Sequence, residues 1–312
     1  TAWQDQSVVV SAHYDHLGLG WPDAHQADVG KIHPGADDNA SGVAVLIELA
    51  KNLVAAGAPP RNLVFAAFSA EEAGRLGSRH FVTANAPMPT AGVMGNINLD
   101  TVGRLGARRL SVLGTGTTTE WQHIFRGCGF VTGIDCDNIP GSASGSDQMS
   151  FIEVGIPGVQ IFTQAHADYH RPTDTADLVD VAGLVKVATF VKEALNYLVA
   201  REEPLTVTID GTTTSAVPAG PPAAGRTITF GSVPDYAFQG TGVRFESIVA
   251  GSPAAEAGVL AGDVLTTADG KAIGNLQDFS DLLKRLTPGQ TVSVTLLRGN
   301  DTINEAVTVG GR

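Results

Sequence analysis

Five short apolar runs alternate with longer helix-like segments over residues 1–200, and this alternation restricts the possible folds more than any other feature. The runs are residues 7–12, 62–68, 92–99, 110–113 and 157–162. Runs of this kind are typical of strands that are buried on both faces of a sheet. The sequence therefore predicts an α/β fold, with a mainly parallel, mixed sheet flanked by helices.

Two segments carry the signals of helices. In residues 41–56 apolar side chains recur at every fourth position, Ser41 stands where a helix cap is expected, and Gly57 stands where the helix would stop. A longer helix is predicted from about residue 175 to residue 198.

The composition changes after residue 205. Residues 206–227 include a stretch dense in Gly, Pro, Ala and Thr without periodicity, which indicates a linker. Residues 228–312 hold short strands and two helices, which predict a small β-rich domain of about the minimum size that folds alone. We therefore divide the chain into residues 1–205, a linker at 206–227, and residues 228–312.

Charge and hydropathy exclude several classes of partner. The net charge is −12 and no basic stripe is present, so we expect no nucleic-acid partner. No apolar run reaches about 18 residues, so no membrane span is predicted. The chain begins with Thr1, which indicates processing, and we expect a periplasmic or extracellular protein.

Cys128 and Cys136 lack zinc-finger spacing and could form a disulfide or remain free.

Histidines and carboxylates stand at the ends of predicted strands or at turns that precede helices. They are His13, Asp15, Asp38, Glu71, Glu72, Asp100 and His170. Each segment alone has an ordinary explanation, such as an acid beside a helix dipole. Together they predict one site at an edge of the sheet. Imidazoles and carboxylates suit a two-metal hydrolase that binds two Zn²⁺ ions, which Mn²⁺ or Co²⁺ could replace.

Spacing divides the roles of some of these residues. Side chains two apart on a strand share a face, and a metal-binding histidine is commonly oriented by a carboxylate, so Asp15 is the predicted partner of His13. Neighbouring side chains diverge, so Glu71 and Glu72 are predicted to divide between a metal ligand and a general base.

Five motifs in this order resemble the M28 family of zinc aminopeptidases: HYDHLG, PGADDNASG, SAEEAG, NLDTVGR and DYHRPTDT. The resemblance covers residues 7–199 and implies a zinc exopeptidase fold with two zinc ions. It implies that Asp38 bridges the two ions. The remaining ligands would be His13 and Asp100 on one ion, and Glu72 and His170 on the other.

The same resemblance assigns the remaining roles. Glu71 would be the general base, and Asp15 would orient His13. The peptide Asp37–Asp38 or Asp38–Asn39 would be strained or cis.

The chain departs from the family pattern at several positions. Many relatives have Ser-Asp-His where this chain has Ser146-Asp147-Gln148, so we expect a different pocket polarity. The stretch that carries an oxyanion-binding tyrosine in some relatives has none, and Tyr169 is an alternative candidate. Only six residues precede the first strand, so we expect that a segment was removed or that one edge of the sheet is bare.

The motifs GSPAAEAG and AGDVL resemble a bacterial-type PDZ domain over residues 228–309. The resemblance implies a peptide groove between the strand that follows the GTGV loop and a helix at 276–286. The loop residues Gly240, Thr241, Gly242 and Val243 would hold the terminal carboxylate of a peptide. The groove would be lined by Val243, Phe245, Leu282, Leu283 and Leu286, although these residues could instead be core.

Three functions remain open on the sequence. The leading hypothesis is a zinc aminopeptidase whose Glu71 acts on a zinc-activated water, with the PDZ domain recruiting peptides or partners. The second is a glutaminyl-cyclase-like enzyme or another amide hydrolase of the same fold. The third is an inactive scaffold in which the PDZ domain binds peptides.

Overall fold

The computed structural model describes residues 5–55, 57–83, 92–141, 145–209, 228–235, 238 and 240–311. The described residues fall into two compact units. The first unit lies within Thr1–His16, Pro34–Gln164 and Asp174–Gly220, and the second within Leu17–His33, Ala165–Thr173 and Pro221–Arg312. Two segments of the predicted first domain, 17–33 and 165–173, therefore group with the second unit.

The first unit is built on a six-stranded sheet with the order β2-β1-β3-β6-β4-β5. The strands are β1 (Ser7–His13), β2 (Asn62–Phe68), β3 (Val93–Leu99), β4 (Leu110–Leu113), β5 (Cys136–Ile139) and β6 (Gly158–Phe162). Neighbours are parallel except β4 and β6, which are antiparallel. The five predicted strands and the mainly parallel, mixed sheet are confirmed. β5 was not predicted because half of its sequence, CDNI, is polar and three of its four residues are only partly buried.

Helices cover both faces of this sheet. They are α1 (Gly42–Ala55), α2 (Leu76–Val82), α3 (Trp121–Thr132), α4 (Gln148–Ile152) and α5 (Val181–Ala200). The predicted cap role of Ser41 is wrong, because Ser41 ends the turn Ala36–Ser41 and its hydroxyl donates to the Asp37 carbonyl and carboxylate. The predicted start of α5 is also wrong. A 3-10 turn precedes the helix, and Asp180 caps it by accepting the Gly183 N–H.

The larger core lies between the sheet and α1, α3 and α5. Trp121, Phe125 and Phe190 form a continuous stack there, with ring centroids 5.5 and 5.9 Å apart. A smaller core on the other face includes Phe68 and Phe151. Burying each such aromatic side chain contributes about 1.5–3 kcal/mol, so the two cores hold the strand ends in a fixed arrangement.

The second unit contains the β-rich domain. Its strands are β7 (Ile228–Thr229), β8 (Ser232–Pro234), β9 (Val243–Ile248), β10 (Val264–Ala268), β11 (Lys271–Ala272), β12 (Thr291–Arg298), β13 (Asp301–Thr308) and β14 (Gly310–Gly311), and its helices are α6 (Pro253–Glu256) and α7 (Leu276–Arg285). The main sheet is antiparallel in the order β13-β12-β10-β9-β8. Phe230, Phe245 and Phe279 form its aromatic core, with centroids 5.5 to 5.9 Å apart.

The start of the predicted linker is ordered. Val207 forms a β-bridge with Thr118, and Thr206 donates its hydroxyl to Glu120 at 2.8 Å. Residues 210–227 lie outside the described residues. Among the residues that the structure does describe, no helix has the length and apolar character needed to cross a bilayer.

The two cysteines carry free thiols in the structure. Burial raises the pKa of the Cys128 thiol to about 12 and that of the Cys136 thiol to about 11. Both side chains therefore remain protonated at neutral pH and are poor nucleophiles.

Candidate metal centre

The ends of three adjacent parallel strands bring most of the predicted site residues to one edge of the sheet. His13 is the last residue of β1, Asp100 directly follows β3, and Glu71 and Glu72 follow β2. Asp38 comes from the turn before α1. The carboxyl ends of parallel strands are the usual place for a ligand site in an α/β fold.

His13 lies between two carboxylates. Its Nε2 is 3.2 Å from Asp38 Oδ1 and 3.7 Å from Asp100 Oδ1, and the side chain is 1% exposed. Burial alone would lower the pKa of His13, but hydrogen bonds and charge from Asp100 and Asp38 outweigh it and hold the pKa well above its ordinary value. Without metal, the two carboxylates thus draw a proton to His13, which indicates that this position favours positive charge.

A second group shares Asp38 with the first. His16 Nδ1 is 2.8 Å from Glu72 Oε1 and 3.9 Å from Asp38 Oδ2. Within each group, His13–Asp38–Asp100 and His16–Asp38–Glu72, the potential ligand atoms lie within 4.8 Å of one another. Asp38 therefore presents one oxygen to each histidine, as a ligand that bridges two cations would.

His16 was missed by the sequence reasoning. It stands three residues after His13 in the HYDHLG motif, and the strand pattern ends before it. The repeated histidine within one motif was the available signal. Only the approach of the Asp38 turn and of Glu72 reveals its position.

The adjacent acids Asp37 and Asp38 have different tasks. The carboxylate of Asp37 accepts hydrogen bonds from the hydroxyl of Ser41 and the amide of Gly103, so it fixes the turn. Asp174 Oδ2 accepts the amides of both acids, at 2.9 and 3.1 Å. The Asp38–Asn39 peptide is cis, as the resemblance implied. Asp37 is thus structural, and the carboxylate of Asp38 is left facing the site.

Asp15 joins the end of β1 to the two glutamates. Its Oδ1 accepts the Glu71 amide at 3.0 Å, and its Oδ2 accepts the Glu72 amide at 3.3 Å. Its carboxylate is 3.7 Å from His13 Nδ1, whereas its main-chain carbonyl oxygen is nearer, at 3.1 Å. Asp15 therefore contacts His13 mainly through its backbone and positions both glutamates through its side chain.

Glu71 lies among several other acids and has a strongly shifted pKa. Burial raises the pKa of Glu71 well above its ordinary value, and the charges of Asp100, Glu72 and Asp147 raise it further, against a lowering by His13. A raised pKa is typical of a carboxyl that takes part in proton transfer. A bound cation would add positive charge and lower it again.

Asp147 and Gln148 are fully buried beside the site. Burial raises the pKa of Asp147 to about 6, although the Ser78 hydroxyl and the charge of His13 lower it. Gln148 accepts from the Asn98 amide and donates to Gln160, both at 3.2 Å. Gln148 is therefore part of a buried hydrogen-bond network.

His170 belongs to the second unit. Its Nδ1 is 3.3 Å from the carbonyl oxygen of Asp23, and its ring stacks on Tyr169 with centroids 4.0 Å apart. Its backbone is left-handed, with φ 58°, which is uncommon for a residue other than glycine. The metal-ligand role of His170 and the oxyanion role of Tyr169 stay predictions.

The predicted peptide groove beside β9 is wrong. β9 pairs with β10 on one edge and with β8 on the other, so a peptide cannot add to it. Nor does the loop residue Gly242 have a free amide, since it donates to the Gly274 carbonyl at 2.9 Å. The loop Gly240, Thr241, Gly242 and Val243 therefore does not border an open edge.

The alternative reading of the predicted groove residues, that they are core, is confirmed. All are buried in one cluster: Val243, Phe245, Leu282, Leu283 and Leu286. At this end of the described sheet the outermost strand is β8.

Comparison with known proteins gives two family matches. Residues 1–195 match Peptidase family M28, and residues 222–309 match the PDZ domain. Aminopeptidase YwaD of Bacillus subtilis is 27% identical over 208 residues, which cover 63% of this chain and 42% of that protein. The chain thus spans less than half the length of this curated relative.

Solved structures share the fold. A zinc aminopeptidase from Bacillus subtilis matches with a TM-score of 0.52 and 26% identity, covering 66% of this chain and 50% of that one. A glutaminyl cyclase from Porphyromonas gingivalis matches with a TM-score of 0.54 and 20% identity, covering 62% of this chain and 74% of that one. At that identity the second likeness shows the fold alone.

Proposed function

Because the chain belongs to peptidase family M28, we propose that it is a zinc-dependent aminopeptidase that removes N-terminal residues from peptides. The similar proteins named as aminopeptidases, one of them a zinc aminopeptidase of known structure, support this activity. The C-terminal PDZ domain would supply a second peptide-binding surface.

The observation that carries the proposal is the sharing of Asp38 between two groups of ligand atoms. One zinc ion would be held by His13, Asp38 and Asp100. The second would be held by Asp38 and Glu72, with His170 as the predicted further ligand. Imidazole nitrogens and carboxylate oxygens are donors that zinc accepts, and Mn²⁺ or Co²⁺ could replace it.

The residues around the ligands would carry out the hydrolysis. Bound zinc would polarise the scissile carbonyl and lower the pKa of a water molecule. Glu71 would accept the proton of the attacking water on its carboxylate and pass it to the nitrogen of the leaving amine. The Asp15 carboxylate accepts a hydrogen bond from the backbone amide of Glu71 at 3.0 Å, and so fixes the backbone position of Glu71.

Free N-termini would be recognised by charge. Asp100 and Glu71 are carboxylates beside the proposed ions and would attract the α-ammonium group of a substrate, which would explain trimming by one residue. We expect a peptide with a free N-terminus to be cleaved at least tenfold faster than its acetylated form. Equal rates for the two peptides would exclude this recognition.

The edge strand β8 is the place in the PDZ domain where a peptide could add as a further strand. β8 pairs with β9 along one edge. Gly231, with φ 85°, makes the turn directly before it, where backbone amides could receive a terminal carboxylate. This location replaces the loop 240–243, and the identity of the peptide stays a proposal.

Metal content and substrate assays separate the three functions. About two zinc ions per chain, with release of p-nitroaniline from aminoacyl p-nitroanilides, would support the aminopeptidase. Cyclisation of N-terminal glutamine without peptide cleavage would favour the glutaminyl-cyclase-like alternative. A protein that binds no zinc, cleaves nothing and binds C-terminal peptides would be a scaffold.

A further inference from the structure

His16 is placed like a metal ligand although none of the assigned roles uses it. Its side chain is 9% exposed, and its Nδ1 is 2.8 Å from Glu72 Oε1 and 3.9 Å from Asp38 Oδ2. All three residues belong to the first unit. An imidazole that approaches two carboxylates from inside the protein has the chemistry of a zinc site.

Gly35 makes room for this imidazole. Gly35 has φ 63°, and a Cβ there would lie 2.5 and 2.6 Å from His16 Cγ and Cδ2. It would also lie 2.5 Å from the carbonyl oxygen of Asp38. The turn that delivers Asp38 is therefore closed by a residue without a side chain, and the ring of His16 packs in the space that this leaves.

We infer that His16 is an imidazole ligand of the second cation, together with Asp38 and Glu72. The inference rests on the proposed two-metal function. Without metal, the hydrogen bond between His16 Nδ1 and Glu72 holds the ligands together. Binding of the cation then requires the neutral imidazole, with the nitrogen that faces the carboxylates deprotonated. The predicted ligand His170 would add to this set.

The competing explanation is that His16 only orients Glu72 by a hydrogen bond. His16→Asn separates the two, because an asparagine amide can donate to Glu72 but is a much weaker zinc ligand than imidazole. His16→Ala removes both functions. His80→Ala is the control, because His80 is an exposed histidine of α2.

The experiment titrates metal-free full-length chain with Zn²⁺ against a chelator of known affinity and resolves the two binding steps. Absorption of the Co²⁺-loaded protein reports ligand change at each step. We expect both His16 variants to bind the first ion within threefold of wild type and the second at least 100-fold more weakly. The control should match wild type, and the circular dichroism of the metal-free variants should be unchanged.

Two results would overturn the inference. One of them leaves the two-metal proposal intact, and the other overturns it as well. If wild type binds two ions and His16→Asn binds the second within tenfold as tightly, His16 is only a hydrogen-bond donor and the two-metal proposal survives. If wild type binds fewer than two ions, the two-metal proposal fails together with the inference. Should His16→Ala fail to fold, His16→Asn alone decides between these outcomes.

Discussion

Asp174 accepts the backbone N–H group of Asp38 at 3.1 Å, although 136 residues separate them in the chain. Asp174 is fully buried, and Arg104 lies 3.3 Å from its other oxygen. Asp174 thus stabilises the turn that carries the Asp38 carboxylate through backbone hydrogen bonds, and it would not itself contact the ions.

Substitution Asp174→Ala should leave two buried amides and Arg104 without this partner. The loss of each such hydrogen bond costs about 1–3 kcal/mol, so we expect the Tm of the first unit in metal-free protein to fall by at least roughly 5 °C. Zinc affinity should fall as well. The matched control is Asp177→Ala, an exposed acid nearby. Equal Tm values for both variants would show that the contact contributes nothing.

Substitution Glu71→Gln should remove the general base and leave the metal ligands in place. We expect kcat to fall by at least about 10²-fold, the size of effect typical of general-base catalysis, with zinc content unchanged. Glu72→Gln is the comparison, because it should weaken zinc binding first. Loss of zinc from the Glu71 variant would contradict its assignment as the base.

Asp15 is expected to act through the residues that it positions. Asp15→Ala frees the amides of Glu71 and Glu72, and we expect zinc affinity or kcat to fall about 10- to 100-fold, as for residues that orient metal ligands. Asp15→Asn retains one acceptor oxygen and should restore part of the loss. A titration of zinc and a kcat measurement on the same samples test this, and full activity with full zinc affinity in Asp15→Ala would refute it.

Asp263 provides a test in the PDZ domain that depends on pH. It is fully buried, and its oxygens are 2.7 and 2.8 Å from Arg298 and 2.9 Å from the Leu260 amide. Burial raises the pKa of Asp263, but these hydrogen bonds and the charge of Arg298 outweigh it and hold the pKa below its ordinary value.

Because the folded pKa is lower than the unfolded one, ionised Asp263 stabilises the fold above the unfolded pKa of about 3.9. That stabilisation is lost as the pH falls through the folded value. Asp263→Asn should therefore lower the Tm of the PDZ transition, identified by its insensitivity to zinc chelation, at pH 7. The difference from wild type should shrink below about pH 3.9, and a constant difference at all pH values would contradict this assignment.

Much of the fold follows from local patterns. The apolar runs that became β1, β2, β3, β4 and β6 needed no knowledge of their neighbours, because each run is mostly apolar. β2 was expected to be a buried strand but is only partly buried, since it lies at the edge of the sheet. β5 could not be found this way, since its polar residues are only half-buried at the sheet edge. The grouping of residues 17–33 and 165–173 with the second unit depends on contacts distant in sequence.

Some residues of the candidate site are likewise visible in local sequence patterns, whereas others depend on contacts distant in sequence. The motif around Asp38 and the adjacent pair Glu71 and Glu72 marked the region, because glycines and paired acids at turns are visible in a sequence. The position of His16 depends on the path of the chain after β1 and on the turn at Gly35, which no local pattern encodes. The pairing of β8 with β9 is likewise a matter of long-range register, and so the peptide groove was misplaced. A location outside the cytoplasm stays a prediction.

The most direct test of the central claim is anomalous scattering at the zinc edge from crystals of the zinc-loaded chain. We predict two zinc peaks about 3.5–4 Å apart, each bound to one oxygen of Asp38. His13 and Asp100 should lie on one ion. Glu72 should lie on the other, together with His16 and the predicted ligand His170. A single peak, or two peaks of which either does not touch Asp38, would contradict the account.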